Sequence, residues 1–295
     1  MKIKLLAIFA CLLWGSAFAG AKIGFTYTTP LHLSGMRFTL AGLLLVPFLL
    51  WQGVDWKANL KEWRYMALFG LLQTFIQYGL FFMGLNYVPA TVAAIIIGGG
   101  PLFVAIMAHL MISDDKLTGR KVFSIILGLT GVVFISVSKG LTLTTTHLFW
   151  LGIFLLLISN ITGALTNIIV AKNKSRVSPV MLTAFANFTG GILLYIVSCF
   201  TEDYALQAYD LKFYGALVWL ALIPAVAFSI WYTLLKRPET KVSELNIWKF
   251  ITPVSGAILS WILLPGETPD LYSITGIIII SSALILLQLK PSRQS

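Results

Sequence analysis

The chain has 295 residues, 58% of them hydrophobic and 11% charged, with a mean hydropathy of +0.89; a soluble domain carries roughly 25% charged residues. That much apolar surface excludes a single water-facing globule and points to an integral membrane protein. The net charge of +10 does not signal nucleic acid, because the basic residues sit between apolar runs rather than along one face.

A membrane-crossing helix needs about 20 apolar residues. Ten runs meet that need, at 5–24, 31–50, 64–86, 90–112, 121–138, 148–171, 179–200, 213–235, 243–264 and 271–289. The first, with Lys2 and Lys4 before it and Ala17-Phe18-Ala19 near its end, mimics a signal peptide. It reads as a retained span, because the second half carries a counterpart. It holds Trp14, a candidate for stacking on a solute, and Lys22 near its outer end. Arg37 enters the second span ~9 Å below the outer surface at helical rise. Lys22 and Arg37 are either snorkelling side chains or a cationic pair that attracts an anion. In the third span Gln73 and Gln77 share a face, with Tyr78 beside them. They line a cavity or bond neighbouring helices.

The fourth span is interrupted at its middle by Gly98-Gly99-Gly100-Pro101. Glycine and proline are the poorest helix formers, and Pro101 takes away the N–H that the carbonyl of Ile97 would use. A bend beside a cavity is expected there, serving as hinge or cavity wall. The stripe Ala90, Ala94, Gly98 is the packing alternative. His109 reads as a packed histidine or a proton carrier. In the sixth span Asn160, Gly163 and Asn167 form a polar stripe, and the seventh carries Asn187. Tyr232 in the eighth and Trp248 in the ninth are further stacking candidates. Lys249 lies close in sequence to Glu244, so a local ion pair or snorkelling is expected. Pro253 repeats the device of Pro101.

With the N-terminus placed inside and sides alternating, 16 of the 21 Lys and Arg fall on the cytoplasmic side and only Lys139 and Lys212 outside. That split follows the positive-inside rule and puts both termini in the cytoplasm. A shift of 152 sets Pro101 on Pro253 and Gly131 on Ala283; a shift of 149 sets Pro30 on Pro179. The chain therefore reads as an all-α membrane protein of two five-helix repeats, 1–138 and 148–289. An odd helix number per repeat makes their topology inverted, with a solute site near the midplane.

Several segments resemble EamA-type members of the drug/metabolite transporter superfamily. Trp14-Gly15-Ser16-Ala17-Phe18 with Lys22 resembles their first helix, and Met36-Arg37-Phe38 the start of their second. Leu85-Asn86-Tyr87-Val88-Pro89-Ala90 with Pro101 resembles their third-to-fourth helix passage; Pro253, Gly266-Glu267 and Gly276 resemble their ninth and tenth helices. One departure is Asp114-Asp115, where relatives often carry Gly-Glu. The resemblance implies ten helices and carrier-type transport of small polar or amphipathic metabolites. Amino-acid exporters, including the YddG type for aromatic amino acids, are among the relatives.

All eleven acids lie in loops or at helix ends. Membrane-embedded carboxylates are the usual proton relays, so facilitated diffusion is expected. The expectation is a carrier, not an enzyme, that exports amino acids or related compounds by alternating access. The alternative is a proton-coupled or importing carrier for nucleosides or organic anions. Cys11 and Cys199 sit near opposite faces, and His32, His109 and His147 lie apart in sequence, so no disulfide, metal or cofactor is expected. The expected partners are a small-molecule solute and the bilayer of a bacterial inner membrane, not nucleic acid, with the chain a monomer or homodimer.

Overall fold

A computed structural model describes residues 2–88, 93, 96–138, 147–173, 177–203, 209–263 and 268–288. They are helical. In chain order come α1 (Lys2–Gly24), α2 (Pro30–Trp51), a short α3 (Trp56–Leu60), α4 (Trp63–Gly70), a π-helical turn (Leu71–Ile76) and α5 (Gln77–Tyr87). Then follow α6 (Gly100–Met111), α7 (Gly119–Ser138), α8 (His147–Lys172), α9 (Pro179–Thr201) and α10 (Leu211–Leu235). The last are α11 (Val242–Ile247), a 3-10 turn (Trp248–Phe250), α12 (Ile251–Leu263) and α13 (Leu271–Gln288).

Among the described residues, five stretches are long and apolar enough to cross a membrane, at Pro30–Trp51, Trp63–Leu85, His147–Lys172, Pro179–Thr201 and Leu211–Leu235. Ile3–Ala17, Ile96–Met111 and Leu271–Leu287 are shorter apolar helices. The outward faces are apolar, with Phe200, Leu211, Leu110 and Ile262 exposed; in lipid that is the low-energy arrangement. Ala90 and Ala94 of the expected packing stripe fall outside the described residues. So do Lys139, Lys174, Arg176, Glu267, Lys290 and Arg293.

Local chemistry sets the helix ends. Pro30 and Pro179 open α2 and α9, where a missing N–H costs nothing. Asp210 caps α10 through the N–H of Phe213 (2.9 Å). Glu202, just past α9, accepts from the N–H groups of Leu31 and His32 at the start of α2, both at 3.0 Å. A carboxylate at a helix N-terminus also meets the positive end of its dipole.

The helices from the two ends of the chain interleave. The α2 helix packs along α9, α7 along α13, α1 against α10 and α12, and α8 against α5 and α6. Small residues permit close crossings. A Cβ built on Gly131 would lie 2.7 Å from the Gly276 carbonyl oxygen, and one on Gly276 2.6 Å from that of Gly131. Gly35 likewise meets the backbone of Tyr195. Membrane helices associate by this kind of packing.

Candidate functional site

Two interrupted helices mark the middle of the structure. Residues 96–98 are helical, Gly99 turns, and α6 restarts at Gly100 with Pro101 second in line. The Ile96 carbonyl accepts the Gly99 N–H (3.0 Å) and the Asn160 side-chain amide (2.6 Å). A helix break inside a membrane needs such a partner, and Asn160 supplies it from α8. The second interruption is the 3-10 turn at Trp248–Phe250, just before α12. Pro253 lies third in α12 and removes the N–H that the carbonyl of Lys249 would use.

A path of aromatic rings reaches the second break. Tyr78 lies 4.7 Å from Phe38 and 6.2 Å from Phe228, centroid to centroid. Phe228 stacks on Tyr232 at 5.7 Å and meets Trp14 at 5.6 Å; Trp14 meets Trp231 edge-on at 5.1 Å. A cation stands at each end. The Arg37 guanidinium lies over Phe38, Phe82 and Tyr78, at 4.5, 5.4 and 5.8 Å. The Lys249 ammonium lies 4.9 Å from the Trp231 ring and 5.7 Å from Trp14. Ring faces attract cations, by about 2 kcal/mol when desolvated. Arg37 Nε is buried with no hydrogen-bond partner.

The amides are placed less uniformly. Asn167 is buried and committed: its oxygen accepts from Trp231 Nε1 (2.9 Å) and Asn246 Nδ2 (3.2 Å), while its own amide donates to the Gly163 carbonyl (2.7 Å). Gln77 lies against Gly163, where a Cβ would come within 2.7 Å of its side-chain amide nitrogen, and its backbone carbonyl accepts from the Ser159 hydroxyl (2.8 Å). Gln73 is buried within the π-helical turn and accepts from Thr74 (2.6 Å). π-turns inside helices often mark functional sites. Trp248 is buried in the 3-10 turn. The side chain of Lys22 lies outside the described residues. Trp231→Phe should cost more than the ~1 kcal/mol of a typical net hydrogen bond, because it also leaves a cavity at a fully buried side chain; unfolding temperature in detergent reads it.

At one end of the bundle a cleft of about 700 Å³ opens among Asp114, Asp115, Lys172, Lys236, Arg237, Glu239 and Lys241. None of the residues expected from the sequence to bind solute lines it. Asp115 and Lys121 form a buried ion pair (2.6 Å). Asp115 also accepts from the N–H (2.8 Å) and the hydroxyl of Ser243, clasping the first turn of α11. Burial pushes the Asp115 carboxyl up, but hydrogen bonds from Lys121 and Ser243 outweigh it and hold it below the usual carboxylate value. Lys236 donates to the Val177 carbonyl (2.7 Å), and burial holds its ammonium below the usual lysine value.

Phe228, Trp231, Asn246 and Lys249, together with Phe38 and Phe82, belong to the central group and stand outside the sequence-derived set. The first two were findable, since Phe228, Trp231 and Tyr232 are three and four apart on α10 and so share a face. The expected pairing of Lys249 with Glu244 is replaced by its ring contacts, and Glu244 lies 4.0 Å from Lys121 instead.

The sequence profile of the EamA-like transporter family matches residues 1–137 and again 150–289. The chain is 28% identical to the uncharacterized transporter YvbV of Bacillus subtilis (strain 168), covering 98% of this chain and 92% of that one. It is 25% identical to a probable amino-acid metabolite efflux pump of Escherichia coli (strain K12), covering 95% and 93%. A solved crystal structure superposes with a TM-score of 0.85 over 98% of both chains at 17% identity, a likeness of fold.

Proposed function

The chain belongs to the EamA-like transporter family, and on that premise we propose that this multi-pass membrane transporter is an alternating-access carrier that exports amino acids or related amphipathic metabolites by facilitated diffusion. The observation that carries the reading is the ring path that reaches the interrupted helix at Lys249, with a cation at each end. Rings suit an apolar side chain, and amides and cations suit the polar groups of an amphipathic solute. Trp14, Tyr78 and Tyr232 form the apolar wall. Arg37, Gln73, Gln77, Asn160, Asn167, Trp248 and Lys22 complete the proposed site.

The packing supports ten spans in two inverted repeats. If each span is paired with the one five places later, the contact of α1 with α10 maps onto that of α8 with α5, and α1 with α12 onto α8 with α6. In such folds the site lies between the repeats at interrupted helices. We place Gly98–Pro101 and Pro253 at the hinges and both termini in the cytoplasm of a bacterial cell. The name of the Escherichia coli relative also favours export.

Counterflow in liposomes tests the reading. Pro101→Ala should slow flux severalfold while the yield of folded protein stays near wild type; equal loss of both would make the segment packing rather than hinge. Accumulation above equilibrium that follows an imposed proton gradient would overturn facilitated diffusion.

A further inference from the structure

We propose that Lys249 recognises the anionic group of the transported solute, and that this group is a carboxylate. The inference rests on the carrier reading above and specifies what its central site selects.

The surroundings of Lys249 are built to hold a charge without cancelling it. Leu245, Asn246, Ile247, Trp248 and Phe250 are all buried, and Lys249 alone in that stretch keeps appreciable accessible surface. Its ammonium rests against two indole faces, and among the described residues no carboxylate lies within ion-pair distance of it. Glu244 is nearest in sequence and turns to Lys121. Taking an ion even partly out of water is costly, and ring faces return only part of that cost. The remaining deficit is met by an anion, and in a weakly polarisable setting that attraction is far stronger than in water. Lys249 also sits on the interrupted helix itself, where a solute's charge bears directly on the element that must move.

The approach to it has the same sign. Asp115 is committed to Lys121 and Ser243. The cleft is left with Lys172, Lys236, Arg237 and Lys241 against Asp114 and Glu239. Arg237 and Glu239 pair at 3.8 Å, which leaves an excess of cations in the cleft, and such an excess concentrates anions. Val242 lines this cleft, and Lys249 stands seven residues further along the same interrupted span, ~10 Å at helical rise. A solute with its carboxylate on Lys249 would lay its apolar part on Trp14, which lies beside that ammonium, and on Phe228, whose ring meets Trp14 at a tilt.

The test compares solutes that differ only in this charge. Purified full-length protein is screened by thermal shift with L-amino acids, the matching 2-hydroxy acids and the carboxamides of both, at fixed chloride, and binding of any hit is then titrated. One or more acids should raise the unfolding temperature while their amides do not. Lys249→Met should weaken binding of that acid at least about tenfold, the worth of a charged hydrogen bond, with an unliganded unfolding temperature near wild type. Lys249→Arg should keep most of the affinity. Equal response to acid and amide, no response to any carboxylate, a shift reproduced by chloride alone, or full affinity in Lys249→Met would each overturn the proposal. Binding and flux of amides or amines would remove this role from Lys249 and leave the carrier reading standing. Liposomes that move no solute of any charge would remove the carrier reading itself.

Discussion

Replacing Asp115 by Ala should destabilise the protein by about 3–5 kcal/mol, the usual effect of taking one partner from a buried ion pair. The variant leaves the buried Lys121 ammonium with only the more distant, partly exposed Glu244 (4.0 Å) as counter-charge and unties the first turn of α11 from the loop after α6. Unfolding temperature and folded yield in detergent are the readouts. Asp115→Asn separates the two parts of the effect: its oxygen still accepts from Ser243, so the helix cap is partly kept while the charge is lost. The pH dependence has a fixed sign. The folded-state carboxyl titrates below the usual carboxylate value, so its stabilisation is fully present above that value and fades as pH falls through the depressed one. The wild type's advantage over Asp115→Asn should therefore be constant near neutrality and shrink only in acid. An advantage that shrinks between pH 8 and 6 would assign the effect to another group.

Gly131→Val should cost 1–3 kcal/mol or more, the range for forcing volume into a packed contact. The first atom of the new side chain would meet the Gly276 carbonyl at 2.7 Å and the Ile280 nitrogen at 3.1 Å. Both are backbone, so no rotamer change relieves them and α7 and α13 must move apart. Gly276→Val meets the reciprocal obstacle, the Gly131 carbonyl at 2.6 Å. Once one variant has opened the crossing, the second has less left to disturb, so the double variant should lose less than the sum. Full additivity would place the two glycines in separate contacts.

Much of this was legible in the sequence because it depends on short-range chemistry. Apolar runs located the helices. Gly98 to Pro101 located the first interruption, since backbone propensity and a missing N–H act within one turn. Pro253 located the second, which lies at Trp248–Phe250. What was not legible depends on partners far away in sequence. Asp115 read as an ordinary loop acid, and the Ser243 that it clasps is 128 residues distant. Asn160 and Asn167 read as one polar stripe seven residues long, yet one closes the helix break at Ile96 and the other holds Trp231. Lys249 had an acid five residues away, which made a local pair the economical reading. The two indole rings that take its place come from α1 and α10.

The interleaving of helices bears on the order in which the chain is made. The α2 helix lies along α9 and α1 against α10 and α12, so the first helices out of the ribosome wait for partners synthesised last. Until then the close-packing faces around Gly35 and Gly131 meet only lipid or the insertion machinery. Contacts between such distant segments form slowly, because the intervening chain must be closed first. Assembly is thus a late event, and a chain that stops short of α9 leaves α2 without the surface it was shaped to meet.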